Sequence, residues 1–324
     1  MKNTTDQKKK VILEYTADMM LIIVLSFIYY LNMIVKTNEV IYIPKGSING
    51  IISHLQQNKY QVSKLDSIIL RFLGSPQSGW IYIGEKKLTR GDFLYKLTTA
   101  KAAMKDITLI PGETSYIFLN DMAEIFALDR VKLQYFYERY SSYPEGNFVP
   151  NTYKLPLGSS EEMIIKILLG NSQKKMIQFS KKIFGTYNEK KWLKYLIVAS
   201  IVQKEAASVQ EMPLVASVIY NRLKKGMKLQ MDGALNYGKY SHVKITAKRL
   251  KEDTTHYNTY LFKGLPPYPV CNVSFDAIKA AIFPAKSSYL YFVKIDDSKH
   301  IFTSNYRMHQ RYIRKLKRKN KKRK

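Results

Sequence analysis

Residues 19–35 read MMLIIVLSFIYYLNMIV, seventeen positions without a charge. A helix built from them has no polar face, which argues against a surface helix or an ordinary core helix. Seventeen residues is the short end of what crosses a hydrocarbon core. A cleavable signal peptide would need a small-x-small site after the run, and the sequence has none there. The favoured reading is an uncleaved transmembrane helix, with Tyr29 and Tyr30 toward the outer boundary and Asn32 tolerable near the end. Lys2, Lys8, Lys9 and Lys10 precede it. By the positive-inside rule, residues 1–18 are then a cytoplasmic tail, and everything after the run lies across the membrane.

The chain beyond residue 35 has to be globular. At 324 residues the protein is too long for one ordinary domain, and 46% hydrophobic residues exclude disorder. Formal charge is +28; eleven Lys or Arg and no acid fall in residues 307–324, and without those eleven the body still carries +17. Such a block reads as a solvated, partly disordered tail. Charge alone also suggests nucleic acid, but the anchor puts the block on the wrong side of the membrane. Anionic lipid head groups are a nearer partner for residues 307–324. The single cysteine, Cys271, fits no intramolecular disulfide. His54, His242, His256, His300 and His309 lack ligand spacing, so no metal is implied, and no cofactor is expected.

Residues 38–140 hold a loose repeat. EVIYIPKGSINGIISHLQQNKY and DITLIPGETSYIFLNDMAEIFALDR each read as strand, Pro-Gly turn, capping hydroxyl and amphipathic helix, with Ser47 and Thr114 as N-caps. Between them, GWIYIGEKKLTRGDFLYKL adds a strand and a short helix capped by Thr89. Residues 144–156, rich in Pro and Gly, read as a linker. A helix capped by Ser160 continues from there to about Phe184.

Residues 192–238 are the most informative. At helical spacing Trp192, Tyr195, Leu196, Ala199, Val202 and Ala206 form an apolar stripe, widened by Val198 and Ile201. Glu205 lies four residues after Ile201 and seven after Val198, on the same inward face. A carboxylate there is costly unless paired or protonated, so its pKa should rise, which suits a general acid. A glutamate at a frayed helix end, turned to solvent, is the open alternative. A helix restarts near Glu211, with Pro213 in its first turn and Gly226 to close it. LQMDGALNYG then gathers Gln230, Asp232, Asn236 and Tyr237, as a polar wall or as an ordinary loop. Tyr257, Asn258, Tyr260 and the Gly264-Leu265-Pro266-Pro267 turn offer aromatic faces, amides and rigid backbone. Sugar binding and core packing explain the tyrosines equally well. A helix from Phe275, capped by Ser274, and a strand over 289–295 close the chain's folded part.

VASIVQKEAASVQEMPLVASVIYNRLKKGMKLQMDGALNYG closely resembles the signature of the MltG (YceG-like) family, the membrane-anchored endolytic murein transglycosylases. EGNFVPNTYKLP (145–156), YNTYLFKGLPPYPVCN (257–272) and AIKAAIFPAKSSYLYFV (277–293) match in the family's order. The resemblance implies an α+β architecture: transmembrane helix (19–35), LysM-like βα module (38–140), mixed α/β catalytic domain (141–306) and basic tail (307–324). It implies an inner-membrane location, with the catalytic domain in the periplasm or cell-wall compartment. Glycan strands of peptidoglycan are the implied partner, and wall-synthesis proteins the neighbours. It makes Glu205 the catalytic residue, cutting the β-1,4 bond from N-acetylmuramic acid to N-acetylglucosamine in nascent strands and leaving 1,6-anhydro ends. Asn221, Gln230, Asp232, Tyr237, Tyr257, Asn258 and Tyr260, with Gly264, Leu265, Pro266 and Pro267, are the expected groove, Asp232 positioning substrate or ordering its loop. The chain departs from the pattern at Gln203 and Ala206 (often Glu and Thr), Met231 and Gly233 (Thr and Pro), Asn151 (Asp) and Val273-Ser274 (Pro-Gly). Two other classes fit parts of it: a non-catalytic glycan-binding scaffold and, from charge alone, a membrane-tethered nucleic-acid binder.

Overall fold

In the computed structural model, which describes residues 2–296 and 299–321, the chain divides into two units. One comprises residues 1–105 with 154–158, the other 106–153 with 159–324.

The first unit opens with α1 (Lys2–Asn32), in which Lys10–Asn32 is long and apolar enough to cross a membrane. Its side chains from Val11 to Tyr29 stand largely exposed. The helix ends at Asn32, whose amide donates back to the Ile28 carbonyl at 2.9 Å. The apolar run therefore does not reach Val35 as one helix. Ile34–Lys36 form β1, and Val35 is fully buried in the unit's core. A helix long and apolar enough to cross a membrane and a core strand abut here without a polar break, so hydropathy merges them.

Strand β2 (Val40–Ile43) and helices α2 (Ile48–Gln57) and α3 (Lys64–Leu73) come next, then β3 (Gly79–Tyr82), β4 (Lys87–Thr89) and α4 (Arg90–Thr99). β1 pairs antiparallel with β4, and β2 with β3, Ile41 opposite Ile81. Ser47 and Thr89 cap α2 and α4 as expected. Ile41, Leu55, Leu70, Ile81 and Phe93 fill the core. One buried ion pair crosses it: Arg90 meets Asp66 at 2.6 Å. The Tyr30 hydroxyl donates to Asp66 at 2.9 Å and accepts from Arg90 at 3.1 Å, which ties the end of α1 to α3 and α4.

β5 (Met104–Leu109) pairs with β6 (Asn151–Pro156). α5 (Ser115–Phe126) and α6 (Arg130–Tyr140) lie between them in sequence. Thr114 caps α5, but this second copy of the βα repeat belongs to the second unit. The expected module over 38–140 is thus divided near residue 105, because the buried face of α5 packs elsewhere: Phe118 meets Phe148 at 5.5 Å and Tyr153 at 6.3 Å. Residues 144–156 are no linker either, since Glu145, Phe148, Val149 and Tyr153 are buried and the segment ends in β6.

The rest of the second unit runs α7 (Glu161–Phe184), α8 (Glu189–Glu205), α9 (Met212–Lys224), α10 (Ala247–Glu252), α11 (Phe275–Ile282), β7 (Tyr291–Asp296), β8 (Lys299–Thr303) and α12 (Tyr306–Lys321). α8 lies at the centre: Trp192, Leu196, Ala199, Ile201 and Val202 are buried against α9 and α11. The β7–β8 hairpin is held to the start of α9 by Glu211, which accepts from the His300 backbone N–H at 2.7 Å and meets the His300 ring at 2.8 Å. The residues expected as a disordered tail form α12 over their described part. Its half-buried positions His309, Tyr312, Ile313 and Leu316 recur at helical spacing, while Arg307, Arg311, Arg314, Lys315 and Arg318 stay exposed.

Candidate active site

α8 stops at Glu205, and the loop after α9 meets it there. Glu205 Oε1 accepts the Gly233 backbone N–H at 2.6 Å. Gly233 sits in a short helical turn, Asp232–Leu235. A Cβ at Gly233 would lie 2.5 Å from Lys204 Cβ and 3.1 Å from Glu205 Oε1, so only glycine allows this approach. Gly233 is one of the departures from the resembled pattern. A proline there would have no N–H to give.

Burial pushes the Glu205 carboxyl up to about 7. The Gly233 N–H and the Arg222 charge pull it down, and the nearby Asp232 charge pushes it up. A group balanced there can give a proton and take one back at neutral pH. Part of the side chain still meets solvent, because it opens onto a cleft of about 790 Å³. The turn after α8, Arg222, the segment 229–232, Tyr260, the β7–β8 hairpin and α12 line that cleft.

The lining is built by a few buried bonds. Arg222 Nε donates to the Leu290 carbonyl at 2.7 Å, and Nη1 donates to the Leu229 carbonyl at 2.5 Å and the Lys228 carbonyl at 3.2 Å. One guanidinium thus fixes both the loop before Gln230 and the approach to β7. Gln230 has φ +50°. Its N–H donates to the Thr259 carbonyl at 3.1 Å, and the Met231 N–H donates to the Thr259 hydroxyl at 3.0 Å. That ladder brings Tyr260 beside Asp232, and the Tyr260 hydroxyl donates to Asp232 Oδ1 at 2.7 Å. Burial, then Asp232, hold the Tyr260 hydroxyl above its ordinary pKa, so it remains the donor. Among the described residues, no three of His, Cys, Asp and Glu converge to hold a metal ion.

A sequence model of the YceG-like family matches residues 41–315. The chain belongs to the YceG-like family. An endolytic murein transglycosylase of Bacillus subtilis (strain 168) is 29% identical over 311 residues, 85% of this chain and 84% of that protein. One from Streptococcus pneumoniae serotype 2 (strain D39) is 34% identical over 178 residues, 52% of this chain but 31% of that longer protein. The crystal structure of a YceG-like protein from Listeria monocytogenes aligns with a TM-score of 0.55 at 25% identity, covering 86% of this chain and 99% of that one.

Within this YceG-like chain, Gln230, Asp232 and Tyr260 line the cleft with Glu205. The other expected groove residues lie outside it. Asn221 donates to the Ser287 and Tyr289 carbonyls at 2.9 and 3.0 Å, bracing the approach to β7. Asn258 is fully buried, and its amide donates to the Leu250 and Asp253 carbonyls at 3.0 and 2.7 Å. Tyr257 stacks on Tyr237 at 4.3 Å, and both rings pack on the core. Gly264, Leu265, Pro266 and Pro267 do not line the cleft, and Leu265 packs on the core. Sequence reasoning missed Arg222, Tyr291, Lys294, His300, Tyr306 and His309, which line the cleft instead. For Tyr306 and His309 the signal was the helical spacing within the basic block.

Proposed function

We propose that this protein is an endolytic murein transglycosylase in which Glu205 is both the acid and the base. The observation that carries the reading is Glu205 itself: a carboxyl pushed up to about 7, held by one N–H, opening onto a large cleft. The family membership and the names of its relatives supply the substrate class. Protonated Glu205 donates to the oxygen leaving the muramyl anomeric carbon as the β-1,4 bond to N-acetylglucosamine breaks. The muramyl 6-hydroxyl then attacks that carbon, and the Glu205 carboxylate takes its proton. The substrate supplies its own nucleophile at high effective concentration, so no water is consumed and a 1,6-anhydro end remains.

Asp232 is the other carboxylate lining the cleft among the described residues. A hydrolase would need it as nucleophile or to activate water. Here it accepts the Tyr260 hydroxyl, and its charge favours the protonated form of Glu205. Lys10–Asn32 serves as a single-pass anchor in the inner membrane, N-terminus inside, with the catalytic unit on the cell-wall side working on nascent strands. The βα elements of the first unit act as a LysM-like module. The exposed Arg307, Arg311, Arg314, Lys315 and Arg318 face of α12 suits anionic lipid head groups.

Product analysis tests the chemistry. Each cut should yield products about 18 Da lighter than hydrolysis gives, the mass of the unused water, without a reducing end. In ¹⁸O-water the new terminus should stay unlabelled. Incorporated label with a borohydride-reducible end would overturn the lytic route, and release of no product would leave a scaffold.

A further inference from the structure

β7 and α12 give the cleft three rings that the proton transfers at Glu205 do not use. Tyr291 and His309 stack at 5.2 Å with 24° between their planes, and Tyr306 packs against Tyr291 at 5.6 Å. The Arg222 guanidinium lies 5.1 Å from the centre of the Tyr291 ring, which fixes that ring from a residue already locked to three carbonyls. Tyr306 differs from its two neighbours. It lines the cleft yet is 59% exposed. Its hydroxyl accepts from Gln310 Nε2 at 2.8 Å, one helical turn on, so the ring is held in place while much of it stays bare.

Core packing does not account for such a ring, since little of it is buried. Charge recognition does not account for it either. Burial, then the Arg222 charge, lower the His309 pKa, so the imidazole beside it is neutral at neutral pH. What remains is a rigid, uncharged, apolar face with a polar rim. Tyrosine offers large contact area for little lost rotamer freedom, and the C–H face of a pyranose packs on such a ring.

We propose that Tyr306, braced by Tyr291 and His309, is the stacking platform for one N-acetylhexosamine residue of the glycan strand, held in the cleft while Glu205 breaks a neighbouring bond. The proposal rests on the glycan-cleaving reading above and adds a subsite to it. It also makes α12 part of the substrate site: the C-terminal helix supplies the ring, and β7 and α9 supply its brace.

The test uses the full-length protein in detergent, acting on uncrosslinked glycan strands. Stacking is the same in the ground and transition states, so its loss raises KM and spares kcat. Tyr306→Ala should raise KM about tenfold and change kcat by no more than about twofold. Tyr306→Phe, which keeps the face but loses the Gln310 bond that holds it, should raise KM by no more than about threefold, less than Tyr306→Ala. In a Glu205→Gln background, which binds without turning over, Tyr306→Ala should weaken the Kd for a short glycan strand by the same factor. The melting temperature should hold in Tyr306→Ala, relative to wild type or to the Glu205→Gln background that carries it, because more than half of the ring is exposed. An unchanged KM and Kd in Tyr306→Ala would overturn the platform and leave the glycan-cleaving reading standing. Activity lost only in proportion to folded protein would make Tyr306 a packing residue, again overturning the platform alone. Wild-type protein that neither binds nor cleaves the strands would remove both.

Discussion

Glu205, half-buried, and Glu145, buried, are both carboxyls of the second unit, and desolvation pushes each up to about 7. Their surroundings differ. Glu145 accepts from the Ser115 N–H at 2.9 and 3.0 Å, the Ser115 hydroxyl at 2.6 Å and the Gly146 N–H at 3.0 Å. Asn272 and Tyr137 donate to the same Ser115 hydroxyl at 3.1 and 3.0 Å and close the knot from outside. Gly146 lets Pro269 come within 2.9 Å of where a Cβ would be. Glu145 is saturated and sealed, 6% exposed. Glu205 has one donor and a cleft in front of it. A raised proton affinity therefore marks burial. Unfilled hydrogen-bonding capacity facing a cavity is what sets Glu205 apart as the proposed acid.

The largest expected effect separates the two directly. Glu205→Gln keeps size and hydrogen bonding but cannot donate a proton, so the rate should fall at least about a hundredfold with folding intact. Steady-state kinetics beside a thermal melt will show it. Near-wild-type turnover would move the acid to Asp232. Glu145→Leu should do the reverse. It leaves two N–H groups and a hydroxyl buried without an acceptor, each costing about 1–3 kcal/mol, so stability should fall by at least about 3 kcal/mol. Activity per folded molecule should persist. If Glu145→Gln, the milder change, abolishes turnover while the fold holds, the contrast between the two sites is wrong.

The pH dependence sharpens the contrast. Both carboxyls have folded-state pKa values above the ordinary 4.5, at about 7. The fold thus favours their protonated forms. The stability this adds is full below about 4.5 and is lost as pH climbs through 7, at most about 3 kcal/mol for each group. Glu205→Gln should therefore melt higher than wild type at pH 8, and the difference should vanish near pH 4. In kcat/KM the protonated acid is the working form, so activity should fall above about pH 7. Asp232→Asn removes the negative neighbour and should move that alkaline limb to lower pH. An alkaline limb that moves with Glu145→Gln, or stays in place with Asp232→Asn, would break the assignment.

These distinctions were unevenly legible in the sequence. The stripe of α8 was readable because helical spacing alone puts Glu205 on the face of Val198 and Ile201. Gln230, Asp232 and Tyr260 were expected only as members of a wider groove, and neither their separation from its other residues nor the Thr259 ladder that joins them was readable. Asn221 and Asn258 look the same in sequence whether they bind a sugar or brace a loop. Only their carbonyl partners, 66 and 8 residues away in the chain, decide it. The aromatic wall of α12 was hidden by composition, because Tyr306, His309 and Ile313 are scattered through a run of Lys and Arg. The motif segments themselves mix roles. The Glu-Gly pair at 145–146 is structural, and the glutamate ending α8 faces the cleft.

A smaller effect concerns the tyrosines that sequence alone groups into one wall. Tyr257 stacks on Tyr237 over the core, so Tyr257→Ala should lower stability by about 2 kcal/mol. Its activity should fall only as folded protein is lost, which a melt and an active-site-normalised rate can separate.

Tyr260→Phe is the smallest change and the most specific. The ring stays, and only the hydroxyl donated to Asp232 at 2.7 Å is lost. A hydrogen bond of this kind contributes about 0.5–1.5 kcal/mol net, so a loss of about three- to tenfold in kcat/KM is expected, with an unchanged melting temperature. The sign of the accompanying pH shift discriminates further. The hydroxyl dipole donated to Asp232 offsets part of that carboxylate's negative field, so without it the field on Glu205 is stronger and the alkaline limb should move slightly up in pH, opposite to Asp232→Asn. A shift downward would mean that Tyr260 acts on Glu205 by some route other than Asp232.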